Sequence, residues 1–334
     1  MPFRLTTSRQ LKRISTLCLA AIVVALIVLA YLFTSPVADV KLPRTDLRLA
    51  VWMGVTWSMD EHAPEDIRDL ADELLARKLD DAYIYVSYLR ADDSFNLTYG
   101  QAKTFVSQIK RQAPGLRLLA WIGVPVSIKR ADGTTSADRL ASARIRERIA
   151  LFSRFIVEEL GFDGLHLNAE MIANGDPMYL QTLEQIRGYL PAEAFLSVTA
   201  HPLRMTKSVT ALPYPTLAHH WSQDYLKQVA QRSDQIVLMA YDSGLLFPRD
   251  YLNWVTYQTA ASQKALQDVA AELLVGLPTS EEWTPSHQTG AETIRIALNG
   301  LRAGISHRLD GIAIYPFWET DAKEWQLIDT SLGR

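Results

Sequence analysis

The stretches LRLLAWIGV, residues 116–124, and GLHLN, residues 164–168, decide the fold class of this chain. Both are short runs dominated by apolar residues, which is typical of buried strands. Between them, residues 137–160 have the apolar spacing of an amphipathic helix. Because strands joined by a helix of this length run parallel, this part of the sequence predicts a βαβ unit.

The same pattern recurs along residues 47–330. The predicted strands are residues 47–54, 82–88, 116–124, 164–168, 194–200, 235–241, 273–277 and 311–316. The predicted helices are residues 64–79, 99–112, 137–160, 178–189, 222–232, 251–270 and 291–303. Eight strands alternating with helices predict a closed (β/α)8 TIM barrel. A doubly wound Rossmann fold is the alternative, but no G-x-G-x-x-G motif follows the first strand.

An uncharged apolar run, ISTLCLAAIVVALIVLAYLFT, occupies residues 14–34. A helix of this length spans a hydrocarbon core of roughly 30 Å. Basic residues precede it, so the positive-inside rule predicts that residues 1–13 are a cytoplasmic tail and that the barrel lies outside, in a periplasmic or extracellular space. A cleaved signal peptide is the alternative, although the apolar run is long for one. Residues 35–46 are predicted to be a short polar linker.

The charge balance and the cysteine content exclude several classes of protein. Lys and Arg number 34 against 37 Asp and Glu, so the chain lacks the basic excess of a nucleic-acid-binding protein. The single cysteine, Cys18, excludes a disulfide framework and a cysteine zinc site. The histidines have no H-E-x-x-H spacing. We therefore expect no cofactor and no metal, and the lipid bilayer is a partner of residues 14–34.

Aromatic and polar residues stand where the predicted strands end. In a TIM barrel these positions form the active site. An aromatic cleft with few carboxylates suits sugar rings, which stack on indoles and bond to a few fixed polar groups. A carbohydrate polymer is thus the predicted partner, although tryptophans that only fill the core are the alternative. The residues at strand ends are Trp57, Tyr88, Trp121, Asn168, Glu170, His201, Tyr241, Asp242, Trp283, Tyr315 and Trp318.

The segment FDGLHLNAEM, residues 162–171, contains the most informative pattern. Side chains alternate along a strand, so His166, Asn168 and Glu170 share one face. Polar groups that face the inside of a barrel destabilise the fold unless they have hydrogen-bond partners or serve the function of the protein. His166 and Asn168 could instead belong to a satisfied polar layer, and Glu170 could be solvated. If neutral, His166 is expected to bond to Asn168 or Asp163.

This segment resembles the fourth-strand signature D-G-x-D-x-D-x-E of glycoside hydrolase family 18, the chitinases and chitinase-like proteins. Asp163, Gly164 and Glu170 match it, whereas His166 and Asn168 replace two aspartates. The N-x-E pair is similar to that of the family 85 endo-β-N-acetylglucosaminidases. Further similar motifs are LMAYD at 238–242 for M-x-Y-D, GLP at 276–278 for G-[LIV]-P, residues 118–123 for the third strand and residues 315–318 for the cleft-floor tryptophan.

The resemblance implies a substrate-assisted mechanism, in which the N-acetyl oxygen of the substrate attacks C1. It implies that Glu170 is the acid and base, that Asn168 orients the N-acetyl group, and that Tyr241 bonds to the attacking oxygen. Asp242 would bind a sugar hydroxyl or orient Tyr241, and Trp318 would stack under the sugar at the cleavage point. The remaining predicted substrate-binding residues are Asp163, His166, Trp57, Trp121, His201, Trp283 and Tyr315.

The sequence therefore favours a membrane-anchored extracytoplasmic glycoside hydrolase that cleaves N-acetylhexosamine glycans, such as peptidoglycan or chitin, with retention of configuration. One alternative is a catalytically inactive chitinase-like lectin, because Asn168 cannot supply the negative charge of an aspartate. Another is a two-carboxylate glycosidase, in which Asp242 or Glu319 is the second carboxylate.

Overall fold

The computed structural model describes residues 8–36, 38–44, 46–128, 135–205, 209–211 and 213–334. The predicted (β/α)8 barrel is confirmed: eight parallel strands form one closed barrel in chain order, and β8 pairs with β1. The strands are β1 Arg48–Met53, β2 Asp81–Tyr88, β3 Arg117–Pro125, β4 Gly164–Glu170, β5 Phe195–Ala200, β6 Gln235–Met239, β7 Glu272–Pro278 and β8 Gly311–Tyr315.

Helices surround the barrel and return the chain from the end of one strand to the start of the next. They are α2 Thr56–Met59, α3 Pro64–Ala76, α4 Ala102–Gln112, α5 Ala143–Glu158, α6 Pro177–Tyr189, α7 Gln223–Ala230, α8 Pro248–Leu266, α9 Ile294–Gly304 and α10 Ala322–Leu332. Short 3-10 turns occur at Arg139–Ala141 and Phe317–Glu319. The sequence analysis did not predict α2 or α10.

Several outer helices begin at side-chain caps, which fixes the loops that precede them. The Asp176 carboxylate accepts from the backbone N–H of Met178 at 2.8 Å, and Pro177 occupies the first position of α6. At α10, Asp321 and Glu324 form a capping box. These loops follow the strands, so the caps limit the freedom of the segments that surround the cavity described below.

A charged layer closes the barrel interior at the amino ends of the strands. The Asp81 side chain is fully buried and accepts from Arg48 at 2.6 Å and from Arg117 at 2.8 Å. Arg117 also pairs with Glu272 at 2.8 Å, and the Gln235 amide donates to both carboxylates at 2.9 Å. A buried carboxylate is tolerated only with such partners, so this layer has a structural role.

Helix α1, Ser8–Leu32, precedes the barrel. Its portion Lys12–Leu32 is long and apolar enough to cross a membrane, by length and composition. All side chains from Lys12 to Ala30 are exposed, so this portion does not pack on the barrel. Only the end of the helix and the residues that follow it contact the barrel.

Candidate active site

A cavity of about 620 Å³, the main cavity, opens at the carboxyl ends of the strands. We call this end of the barrel the cavity face. The four predicted catalytic residues line the main cavity together: Asn168 and Glu170 from β4, and Tyr241 and Asp242 from the segment after β6. Volumes of 300–1,000 Å³, roughly, are those of small-molecule sites. Trp121, His201 and Tyr315 also line it.

The Glu170 carboxylate is held by its neighbour on the same face of β4. The amide nitrogen of Asn168 donates to Oε1 of Glu170 at 3.0 Å. The amide oxygen of Asn168 accepts from the hydroxyl of Thr199 on β5 at 2.7 Å. Thr199 therefore fixes which way the amide points, and the donor end faces the carboxylate. The sequence analysis did not identify Thr199.

Two tyrosines stack at the floor of the main cavity. The rings of Tyr241 and Tyr315 lie 5.1 Å apart with an interplanar angle of 10°. Burial is the main cause that raises the pKa of both hydroxyls, to about 12 for Tyr315 and well above its ordinary value for Tyr241, so both keep their protons at neutral pH. Gly276 makes room for Tyr241 and Trp52, because a Cβ there would lie 3.0 Å from the Tyr241 ring and 3.1 Å from Trp52. This close approach explains the glycine of the G-L-P motif.

His166 lies below the main cavity, inside the barrel. Its side chain is fully buried, and its ring stacks on Tyr83 with centroids 3.9 Å apart. Nε2 accepts from the indole of Trp52 at 2.9 Å, and Nδ1 bonds to the hydroxyl of Ser197 at 2.8 Å. Burial lowers the pKa of His166 to about 3, so the ring is neutral. His166 does not form the expected bonds to Asn168 or Asp163. Both of its ring nitrogens have hydrogen-bond partners inside the barrel, as in the alternative interpretation of His166 as part of a buried, hydrogen-bonded polar layer.

Asp163 lies at the opposite end of β4 from Glu170. Its carboxylate pairs with Lys110 at 2.5 Å and accepts from the backbone N–H of Leu118 at 2.8 Å. It precedes the first residue of the strand, Gly164, so it is at the amino end of the barrel. The structure therefore does not bring Asp163 to the cavity face, and its contacts are structural.

Aromatic residues predicted at strand ends line a second cavity of about 710 Å³ on the same face. Trp57, Trp121 and Trp318 are among its walls, and Trp121 is shared with the main cavity. Trp57 also stacks on His62, with centroids 4.4 Å apart. An aromatic surface thus continues from the main cavity toward Trp57.

The other predicted residues are distributed around the rim. His201 is buried beside the main cavity, and its Nε2 accepts from the backbone N–H of Ile172 at 3.1 Å. Burial, with some effect of neighbouring histidines, lowers the pKa of His201 to about 3. Trp283 is exposed, and its indole donates to Gln288 at 3.1 Å. Tyr88 is exposed and lines a smaller cavity with Glu170.

Two residues that the sequence analysis missed hold Asp242. Nδ1 of His287 lies 3.3 Å from Oδ1 of Asp242 and 3.4 Å from Oε2 of Glu292. Glu292 is fully buried, and its Oε1 accepts from the Ser243 backbone N–H at 3.0 Å and hydroxyl at 2.7 Å. Bonding to Asp242 and Glu292 raises the pKa of His287 to about 10, so the imidazolium is the form at neutral pH.

Asp242, His287 and Glu292 could together hold a cation, because their ligand atoms lie within 4.8 Å of one another. They form the group of this kind in the part of the chain that the structure describes. Nε2 of His287 lies 3.0 Å from the carbonyl oxygen of Ser280, to which it donates. Nδ1 therefore directs either a proton or a lone pair at the two carboxylates. The high pKa of His287 favours the proton, and a cation would have to displace it.

Comparison with known proteins identifies the type of barrel. No protein-family model matches the chain, and no curated protein matches it in sequence. Solved structures do match. A class V chitinase from Pseudomonas fluorescens has a TM-score of 0.57 at 12% identity, over 86% of this chain and 99% of that chain. The spore cortex-lytic enzyme SleL from Bacillus cereus has a TM-score of 0.55 at 13% identity, over 85% of this chain and 74% of that chain.

A mutant family 18 chitinase from Cycas revoluta, solved in complex with (GlcNAc)4, has a TM-score of 0.53 at 12% identity, over 86% of this chain and 98% of that chain. At these identities the likeness defines the fold. The chain therefore forms a TIM barrel whose fold is similar to those of these chitinases and of SleL.

Proposed function

We propose that this protein is a glycoside hydrolase that cleaves glycans containing N-acetylhexosamine, with Glu170 as the acid and base. One observation supports this most strongly. The amide of Asn168 bonds to the Glu170 carboxylate at 3.0 Å, in a cavity that Tyr241 and Asp242 also line. The carboxylate is thus accessible, oriented and surrounded by the groups that this reaction needs.

The aromatic walls and the structural neighbours support the substrate class. Trp121, Tyr315 and Trp318 lie along the two cavities, and such rings bind the apolar faces of sugars. The neighbours include chitinases and a spore cortex-lytic enzyme, one of them in complex with (GlcNAc)4. An N-acetylated polysaccharide, such as peptidoglycan or a chitin-like chain, is therefore the proposed substrate.

In the first step, Glu170 gives its proton to the glycosidic oxygen while the bond to C1 breaks. The N-acetyl carbonyl oxygen of the same sugar attacks C1 and forms an oxazolinium ion. Asn168 donates to Oε1 of Glu170, which leaves Oε2 to carry the transferred proton. The hydroxyl of Tyr241 is a donor at neutral pH, and in this proposal it bonds to the attacking carbonyl oxygen.

In the second step, the Glu170 carboxylate takes a proton from water as the water oxygen attacks C1. The oxazolinium ring opens, the N-acetyl group is restored, and the configuration at C1 is retained. The amide of Asn168 donates to Oε1 of this carboxylate and so holds it in place during this step.

The lectin alternative is favoured by the orientation of Asn168. Its oxygen already accepts from Thr199 at 2.7 Å, so it has less capacity to accept the N-acetyl N–H of a substrate. The two-carboxylate alternative is disfavoured. Asp242 faces a charged His287, which reduces its strength as a nucleophile, and Glu319 accepts from the Ser280 hydroxyl and the Glu281 backbone N–H, each at 3.0 Å.

The location of the reaction follows from α1. We propose that residues 14–34 anchor the protein in a membrane and that residues 1–13 remain in the cytoplasm. Residues 35–46 connect this anchor to the barrel of residues 47–330, which acts outside the membrane. The length and apolar composition of Lys12–Leu32 support the anchor, and the basic residues before it support the orientation.

The test is hydrolysis of N-acetylated oligosaccharides and peptidoglycan fragments by the full chain in detergent. Glu170→Gln should lower kcat by about 100-fold or more while binding persists, because it removes the acid and base. Glu61→Gln, an exposed glutamate on the same face outside the cavities, is the matched control and should be fully active. Binding by wild type and Glu170→Gln without cleavage by either would support the lectin. Absence of binding would contradict both proposals.

A further inference from the structure

The end of α1 is fixed to one edge of the barrel. The ring of Phe33 packs edge-on against Phe247, with centroids 5.2 Å apart. The guanidinium of Arg249 lies 4.9 Å from the centre of the Tyr31 ring and donates to the hydroxyl of Thr34 at 3.0 Å. An apolar contact, a cation–π contact and a hydrogen bond thus join the two parts. The exit of the chain from α1 therefore has a defined position.

That position is on the cavity face. Phe247 and Arg249 flank Pro248, the first residue of α8, and outer helices begin at the carboxyl ends of the strands. Asp242, which lines the main cavity, precedes Pro248 by only a short loop. A chain spans at most about 3.5 Å per residue, so Asp242 lies within about 21 Å of the start of α8. The end of α1 is thus beside the mouth of the main cavity.

The residues after α1 run from the cavity face to the opposite face. Asp39 pairs with Arg295 in the first turn of α9, on the cavity face. The backbone N–H of Leu42 donates at 2.8 Å to the carbonyl oxygen of Ser331, in the last turn of α10 on the opposite face. Val40 and Leu42 are buried in the core. This strap, residues 38–44, holds α1 at the cavity end rather than near the start of β1.

The part of α1 before these contacts leaves the barrel. If it ran back along α8, one side of it would be buried against that helix. Instead, every side chain from Lys12 to Ala30 is exposed. This exposure agrees with a helix that leaves the protein at the cavity face, where its end is fixed.

Exposed apolar side chains of the barrel are concentrated on the same face. After Phe33, ten large apolar side chains of the described residues are exposed, and only Leu75 and Leu151 lie outside the segments that follow the strands. Such a concentration marks an interaction surface, and aromatic rings are common at membrane interfaces. The eight on the cavity face are Met59, Tyr88, Leu97, Met171, Leu217, Leu246, Trp283 and Trp318.

We propose that the cavity face is turned toward the bilayer that holds α1, and that the substrate is an N-acetylhexosamine glycan attached to a lipid of that bilayer. The fixed exit of α1, the strap and the apolar rim all support this orientation. The statement about substrate rests on the proposed function. The statement about orientation does not depend on catalysis.

Orientation is tested with the full chain in vesicles that contain a spin-labelled quencher lipid. In a Cys18→Ser background, a fluorophore is attached to cysteine through Leu246→Cys or Gln267→Cys. These sites lie at opposite ends of the 19-residue helix α8, about 28 Å apart along its axis. Quenching should be several-fold stronger at position 246. Equal quenching, or stronger quenching at 267, would overturn the orientation.

Substrate preference is tested in the same vesicles. An N-acetylated tetrasaccharide linked to a phospholipid is compared with the free tetrasaccharide at about 10 μM. Confinement at one surface gives an effective concentration in the millimolar range, so cleavage of the linked form should be about 10- to 100-fold faster. The matched control is the double variant Phe33→Ala, Arg249→Ala, which frees α1. Its preference should fall several-fold while its rate on the free tetrasaccharide is unchanged.

The possible failures have different signatures. Equal rates on the two substrates, or an unchanged preference in the double variant, would overturn the lipid-linked substrate. Absence of cleavage of both substrates by wild type would contradict the proposed hydrolase and, with it, the substrate statement. Even then, the quenching at positions 246 and 267 would support or overturn the orientation.

Discussion

Replacing His287 tests the charge arrangement behind Asp242. Its Nδ1 lies 3.3 Å from Asp242 and 3.4 Å from Glu292, and their bonds raise the pKa of His287 from 6.5 to about 10. A raised pKa stabilises the fold fully below the unfolded-state pKa of 6.5. The stabilisation is lost as the pH rises through the folded-state pKa. Stability should therefore decrease between about pH 6.5 and pH 10.

The magnitude follows from the number of protons. In this range the native state holds one proton that the unfolded chain has released, so the free energy of unfolding falls by about 1.4 kcal/mol per pH unit. Between pH 7 and pH 9 the contribution of His287 should fall by about 2 to 3 kcal/mol. His287→Gln lacks this titration. Its stability deficit relative to wild type should shrink by the same amount over these two pH units.

The measurement is urea unfolding of the full chain in detergent at pH 7, 8 and 9 and constant ionic strength, followed by circular dichroism. Taking the difference between wild type and His287→Gln cancels the titration of other groups. A deficit that stays constant from pH 7 to pH 9 would refute the reasoning. It would mean that His287 is not a shared imidazolium in the native state.

Three further substitutions test the site and its support. Asn168→Asp should keep activity and move the basic limb of the kcat/KM profile to higher pH. The reason is that a pair of carboxylates 3.0 Å apart keeps a shared proton to higher pH than a single carboxylate does. Complete inactivity of this variant would contradict the prediction. Trp52→Phe should lower the free energy of unfolding by about 1 to 3 kcal/mol, measured in urea, because His166 loses its donor; no change would contradict it. Trp318→Ala should lower kcat/KM on a polymer by about tenfold through lost stacking, and an unchanged value would contradict it.

The barrel could be predicted from the sequence because each strand is a short apolar run between turns. The predicted strand bounds differ from those observed by at most two residues. The prediction at β6 was too long: the strand ends at Met239, and Asp242 adopts a positive φ of 53°. Helix α10 was missed although Asp321 and Glu324 are a capping signal in the sequence and its apolar residues are as frequent as those of α4.

The site could be predicted in part, for a physical reason. Alternation along β4 places His166 and Glu170 on the same face, but it does not say how deep each lies. Two repeats of the alternation separate the fully buried ring of His166 from the exposed carboxylate of Glu170. His287 and Glu292 have no signal of this kind, because they lie in the loop after β7 and meet Asp242 only in the folded barrel.

The strap of residues 38–44 has a consequence for any soluble, secreted form of this protein. Proteolysis just after Thr34 would release the barrel with Val40 and Leu42 still seated in the core. Proteolysis a few residues later, beyond Leu42, would remove the side chains of Val40 and Leu42 and expose to water the apolar surface that they cover. A released barrel should therefore begin before Asp39, and recombinant chains that start at Leu47 should aggregate where longer ones remain dispersed.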